Sequence, residues 1–187
     1  MRKLWLFCLL FMVTLPIKSQ QLTDVIEIPD KTSDQLYSTA REWFALTFKS
    51  ANDVIQLNDP VEKKIIGKGL KKTGYYIKKI YVALDMNFTL FVQFKEGKYK
   101  YDIQSNDIVT SAGTIMTFES ILECTTIEGL SKEYNRQGIN PVLISDKQML
   151  KAIESNKALI IILENDLRAL VDDLTNTLKT SKKDDNW

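Results

Sequence analysis

The sequence predicts an α+β fold, a curved antiparallel β-sheet of about five strands packed by an N-terminal helix and a long C-terminal helix. Three observations point to it. Apolar and polar residues alternate over Asn87–Lys95 and Lys98–Ile108, on either side of Glu96-Gly97. Apolar positions recur at helical spacing after Thr32, and again from Lys147 to Leu178. Between the two helical patterns lie several short runs rich in β-branched and aromatic residues. A length of 187 residues with 44% hydrophobic content is enough for one well-formed core.

The first element is a leader. Arg2 and Lys3 precede an apolar run from Leu4 to Ile17. That run is shorter than the roughly 20 residues a spanning helix needs. Its order, basic then apolar then small and polar, is that of a secretory signal peptide over residues 1–19. Cleavage falls after Ser19, with Gln20 as the alternative. Cys8 follows bulky Phe7, which is poor context for lipidation, so ordinary cleavage is preferred. Cleavage leaves 22 basic and 24 acidic residues, a net charge of −2, and Cys124 as the remaining cysteine. No internal disulfide can then form, and helical spacing to Phe118, Ile121 and Leu122 predicts a buried thiol.

Residues 22–110 read as a β-α-β-β-β-β core. Val25–Ile28 is a short strand closed by Pro29-Asp30. Thr32 caps a helix and Gln35, three positions on, reaches back to it. Leu36, Ala40, Trp43, Phe44, Thr47 and Phe48 then share one face, the face expected on the sheet. Asn52-Asp53 marks a turn, Val54–Leu57 a strand, and Lys64–Leu70 a second strand interrupted by Gly67 and Gly69. Tyr75–Leu84 reads as a third strand or as an extension of the second. Asn87–Lys95 and Lys98–Ile108 form a hairpin, with Gly97 where a positive φ is wanted. Phe88, Leu90, Val92 and Phe94 belong to its buried face.

Residues 111–146 form an irregular connection with a short helix over Phe118–Thr125, stopped near Gly129 and barred from continuing by Gly138 and Asn140-Pro141. Residues 147–180 form the long helix that completes the same domain. Met149, Ile153, Ile160, Leu163, Leu167, Leu170, Leu174 and Leu178 make its stripe. Ala158–Leu163 is apolar all round and is expected to be covered on more than one side. The tail from Ser181 to Trp187 is charged.

The wording "VIEIPDKTSDQLYSTAREWFALTFKSANDVIQLND", "KIIGKG" and "FTLFVQFKEGKYKYDI" resembles a family of exported Bacteroidota proteins. The resemblance runs from about Val25 to Ile108. It implies a TBP-like fold and an exported bacterial setting. It implies no activity, because the family has none assigned.

Chemistry is restricted by the absence of histidine. Imidazole-based triads and His-ligated zinc are excluded, and a single mature cysteine adds no metal cage. Asp102 and Asp107 lack EF-hand spacing. Catalytic, cofactor-binding and metal residues are therefore assigned to none. Lys95-Glu96-Gly97-Lys98-Tyr99-Lys100-Tyr101 has the composition of a base-stacking surface, but a strand sends its lysines and tyrosines to opposite faces. Gly67-Lys68-Gly69 is too little for a phosphate loop and reads as a bulge or a close approach of the first helix. Asn87-Phe88-Thr89 matches a glycosylation acceptor by coincidence on a strand. Lys71-Lys72 and Lys78-Lys79 would suit an anionic lipid or polysaccharide, or would guard a sheet edge, the simpler reading. Neither Asp172-Asp173 nor Asp184-Asp185 makes a catalytic dyad, since helical neighbours diverge by about 100°.

The expectation is a non-enzymatic exported module, periplasmic or secreted, that binds a protein, peptide or glycan or serves the envelope structurally. No nucleic acid is expected, for want of a basic field, and no transmembrane span in the mature chain. The alternatives are an enzyme using carboxylates or Ser/Lys in a pocket, and membrane association through the helix around Ala158–Leu163.

Overall fold

The computed structural model describes residues 21–48, 51–77 and 79–181. The expected leader (1–19), Asp184-Asp185 and the tail beyond Ser181 lie outside the described residues. The sheet contains β1 (Gln21–Glu27), β2 (Ile55–Asp59), β3 (Lys64–Ile77), β4 (Ile80–Lys95), β5 (Lys98–Thr110) and β6 (Ile115–Met116). Its order is β1-β5-β4-β3-β2, with β6 pairing β5, and every described pair is antiparallel. The helices are α1 (Ser33–Thr47), α2 (Ala51–Val54), α3 (Phe118–Glu123), α4 (Ile127–Arg136) and α5 (Asp146–Thr180), with a 3₁₀ turn at Pro141–Leu143.

The period of two along β4 organises the molecule. Leu84, Met86, Phe88, Leu90, Val92 and Phe94 are buried, whereas their intervening neighbours are half-buried or exposed. β5 answers with buried Tyr99, Tyr101 and Ile103 directly across the ladder. Helices α1 and α5 cover this face. Thr32 caps α1 and the Gln35 side chain returns to the Thr32 backbone, as expected. Leu36, Ala40, Trp43 and Phe44 are buried. Trp43 lies edge-on to Phe44 and Phe48 with centroids 5.0 and 5.7 Å apart, and its indole N–H donates to Asp173 Oδ2 of α5 at 2.7 Å. Ser145 caps α5 with a capping box of its own. The expected stripe of α5 is buried except for half-buried Ile160, and Leu159, Val171 and Thr175 join it.

Gly67 shows why the first helix can approach β3. A Cβ there would lie 2.3 Å from Phe44 Cε1, so only hydrogen leaves room for the ring. Gly69 is similarly crowded, 2.6 Å from Phe88 Cζ. Gly67 thus belongs to the packing of α1, and Gly69 makes room for the Phe88 ring of β4. Gly97, with φ of +68°, makes the β4–β5 turn in the region open to glycine without strain.

Several expectations need correction. Tyr75–Leu84 is not one strand: Tyr75–Ile77 extends β3 as one reading expected, but Ile77 and Ile80 are register partners, so the chain reverses between them and Ile80–Leu84 opens β4. Strand-forming residues flank that reversal and no glycine or asparagine stands in it, which hid the turn. Asn52-Asp53 belongs to the helical turn α2, and β2 begins at Ile55 rather than Val54. Thr47 is exposed, because α1 ends there and the chain turns extended at Phe48. Gly129 does not stop a helix. It sits in the first turn of α4, where a Cβ would stand 2.0 Å from the Glu123 carbonyl oxygen, so glycine permits α4 to start tight against the end of α3. Residues 111–146 are accordingly more regular than expected, with β6, α3, α4 and the 3₁₀ turn. Ala158–Leu163 is covered on one side: Leu159 and Leu163 enter the core while Ile161 is 58% exposed. Cys124 is half-buried rather than buried, and Leu122 is exposed.

Trp43 is 3% exposed and joins α1 to α5. Trp43→Ala is expected to cost about 3–5 kcal/mol, as large-to-small core substitutions do. Urea denaturation measures it, and a loss below about 1 kcal/mol contradicts the burial of this helix face.

Candidate functional site

The face of the sheet opposite the helices carries the side chains that the alternation turns outward. β4 contributes Thr89, Phe91, Gln93 and Lys95. The register places Ile66 and Lys64 of β3 on one side of Phe91 and Gln93, and Asp102 and Lys100 of β5 on the other. β1 extends the row, with Gln21 opposite Gln104, Thr23 opposite Asp102 and Val25 opposite Lys100.

Two adjoining depressions mark this face. The larger, about 460 Å³, has Phe91 and Ile66 within a border of Gln21, Thr89, Lys100, Asp102 and Gln104. The smaller, about 240 Å³, adds Val25, Gln93, Lys95 and Lys98, and Lys100 edges both. Lys64 Nζ lies 4.8 Å from the centroid of the Phe91 ring, within cation–π range. The Gln21 amide donates to Asp102 Oδ2, which holds the carboxylate at the rim. The result is an aromatic floor ringed by amides, a carboxylate, a hydroxyl and ammonium groups.

The Lys95–Tyr101 segment divides as its strand geometry requires. Lys98 and Lys100 border the open face, while Tyr99 and Tyr101 are buried under the helices. Phe94 stacks on Tyr99 with centroids 5.9 Å apart. The Thr175 hydroxyl donates to the Val171 carbonyl at 2.7 Å, which leaves its oxygen to accept from Tyr99 at 2.5 Å. Burial pushes the Tyr99 phenol up to about 12, against a smaller downward pull from the Thr175 contact.

The remaining candidates do not gather on this face. Asn87-Phe88-Thr89 is inside β4 with Phe88 fully buried. Asp172 and Asp173 are exposed, and Asp173 accepts the Trp43 indole. Lys71 and Lys72 lie on β3 toward its far end, Lys79 lies in the turn that follows, and Lys78 is outside the described residues. Asp102 belongs to the open face and Asp107 is exposed on β5.

Sequence reasoning missed a cleft of about 480 Å³ between β6, α3, α4 and α5. Met116, Ile121, Leu130 and Cys124 give it an apolar wall, and Tyr134 and Asn156 border it. Its polar groups are largely committed. Ser120 Oγ donates to the Thr117 carbonyl and accepts from the Thr117 N–H, while Arg136 pairs with Glu133 at 2.7 Å. Burial, then the carboxylates of Glu133 and Glu123, push the Cys124 thiol up, which disfavours the reactive thiolate. Signals for α4 were nevertheless present in the sequence, since Thr126 caps it and accepts from the Gly129 N–H. Among the described residues no helix is long and apolar enough to cross a membrane.

An antiparallel sheet covered by helices on one face and open on the other is a TBP-like α+β arrangement. Residues 23–108 match the family model "Domain of unknown function (DUF4468) with TBP-like fold". Among solved structures, it is similar to a DUF4468 family protein from Bacteroides ovatus, with a TM-score of 0.59 and 12% identity over 89% of each chain. It is also similar to a TBP-like protein from Parabacteroides distasonis, with a TM-score of 0.52 and 10% identity over 87% of this chain and 94% of that one. Identities this low report shared fold. No curated protein matches the chain.

The phenol of Tyr99 gives the fold an alkaline limit. Its ordinary value of 10 is raised to about 12 in the folded state, so the unfolded chain loses this proton first. The stabilisation is complete below pH 10 and is lost as pH rises from 10 toward 12. Thermal midpoints are expected to fall across that interval. Tyr99→Phe is expected to flatten the decline, and a wild-type midpoint constant across it contradicts the assignment.

Proposed function

We propose that this chain is an exported, non-enzymatic binding module that receives a glycan segment on its open sheet face. The observation that carries this reading is the Phe91 depression. An aromatic ring offers a flat apolar surface to the C–H face of a sugar, and planar amides and a carboxylate can pair with neighbouring hydroxyls. Gln21, Gln104 and Asp102 stand around Phe91 in that relation. The depression is shallow, which suits a segment of a chain better than an enclosed small molecule. A peptide is the rival ligand, through the same polar border.

Several facts favour binding over catalysis. The chain has no histidine. In the cleft beneath α4, the Ser120 hydroxyl is engaged in its own capping box and the thiol is held protonated. On the open face, Asp102 accepts from Gln21 and Lys64 lies over Phe91.

Glycan and peptide arrays probed with the full chain test the assignment. Binding to glycan features is expected, weakened at least about tenfold by Phe91→Ala, a loss typical of removing a central aromatic anchor. The thermal midpoint of this variant should stay near wild type. Binding that persists in Phe91→Ala but is lost in Tyr134→Ala would transfer the site to the cleft, and binding to peptides alone would refute the glycan.

Export is supported by the basic residues Arg2 and Lys3 and the apolar run from Leu4 to Ile17. Intact-mass measurement of protein recovered from a bacterial host is expected to find a chain beginning at Gln20. Retention of Met1 through Ser19 on the recovered chain overturns the leader.

A further inference from the structure

We propose that the far end of the β3–β4 hairpin docks on the surface of an anionic lipid bilayer. The ladder partners set the geometry. β2 pairs with β3 only as far as Gly67, and β5 pairs with β4 only from Leu84 onward. Residues 74–77 and 80–83 therefore pair solely with each other and project past the sheet as a two-stranded ribbon. Tyr75 and Val82 turn inward and pack against the core. Ile77 and Ile80 follow them on that face beyond the core and Tyr76 and Tyr81 take the opposite face, with Tyr76 71%, Ile77 43%, Ile80 69% and Tyr81 53% exposed. The rings of Tyr76 and Tyr81 lie 5.2 Å apart on one face and the Ile77–Ile80 pair stands on the other, so the tip is apolar on both faces.

The charge along the hairpin sequence has a single sign. Between Lys63 and Leu84 the sequence holds seven lysines and no acid, although the whole chain carries 25 basic and 24 acidic residues. The rest of the chain is therefore acidic, with 18 basic residues against 24 acids. Lys63 and Lys64 belong to the opposite end, where they meet Asp34 and Phe91. Lys72 and Lys79 are exposed toward the tip, and the first acid met along β4 is Asp85, the register partner of Lys72.

Lysines alone would suit a guard against edge pairing, but a guard gives no reason to project two isoleucines and two tyrosines beside them. A second copy of this hairpin would set lysines against lysines. A soluble polyanion would use the charge and leave the apolar tip in water. A bilayer with anionic headgroups uses both. Tyrosine rings sit at headgroup depth, isoleucines enter the acyl boundary, and lysines meet phosphates with their stems along the interface.

Hydrogen exchange of the full chain tests this segment by segment, separating the hairpin from any adsorption through residues 1–19. Phosphatidylglycerol vesicles are expected to slow exchange over residues 74–82, whereas phosphatidylcholine vesicles and heparin are not. Reversing Lys72→Glu and Lys79→Glu together, or replacing Ile80→Ser and Tyr81→Ser together, is expected to lower the protected fraction at least about tenfold at limiting lipid. Absence of slowing on phosphatidylglycerol overturns the proposal, as does equal slowing on phosphatidylcholine. So does slowing by heparin equal to that by vesicles, or slowing that survives both pairs of substitutions. The wild-type comparison stands even if a variant fails to fold.

Discussion

The strict alternation of β4, matched by β5 across an antiparallel ladder, places the largest apolar side chains of the sheet on one face. Phe88, Leu90, Val92 and Phe94 alternate with Thr89, Phe91, Gln93 and Lys95, so a shift of one residue would expose the first set and bury the second. That asymmetry gives α1 and α5 a surface to cover. Each buried apolar side chain contributes about 1.5–3 kcal/mol relative to exposure, so the favoured register exceeds its slipped alternative by several such terms. The tie between the two helices, from the Trp43 indole to Asp173, forms only when both have settled on that face. Gly67 is part of the same fit, because the Phe44 ring occupies the space a side chain would take.

The consequence is that the two faces differ in what they present. The helix-covered face holds Tyr99 and Tyr101 so completely that their phenols resist ionisation, which makes them structural groups. The opposite face presents its strands directly, and its character depends on side chains that folding does not constrain. Phe91 stands out there. A phenylalanine on the solvated side of an interior strand gains little for stability, yet Lys64 and the half-buried Ile66 gather beside it.

Where periodicity and capping chemistry agreed, the fold was legible in the sequence. Thr32 and Gln35 announced α1, Glu96-Gly97 announced the β4–β5 turn, and the leucines from Leu163 to Leu178 announced α5. Legibility failed where a residue's usual meaning was reversed by its neighbours. Gly129 signals a break in isolation, but the Glu123 carbonyl makes glycine a requirement for starting α4. The β3–β4 reversal offered no turn residue, because Ile77 and Ile80 are strand formers on either side of it. The open face was legible only in part. Alternation indicates which residues of β4 and β5 turn outward, but Gln21 meets Gln104 and Ile66 meets Phe91 only through inter-strand register.

The same register explains how one sheet can offer two surfaces of different character. Near Phe91, β4 has neighbours on both sides, so its outward row sits within a broad floor with charges of both signs at its border. Beyond Leu84 β5 no longer pairs with β4, and β3 and β4 continue as a narrow ribbon whose exposed side chains are apolar or basic. A broad mixed floor favours a ligand that makes many directional polar contacts. A narrow apolar and cationic tip favours a surface recognised by depth and charge rather than by shape. The length by which β3 and β4 outrun β2 and β5 is therefore the structural variable that separates the two, and shortening the ribbon would remove the second surface while leaving the first in place.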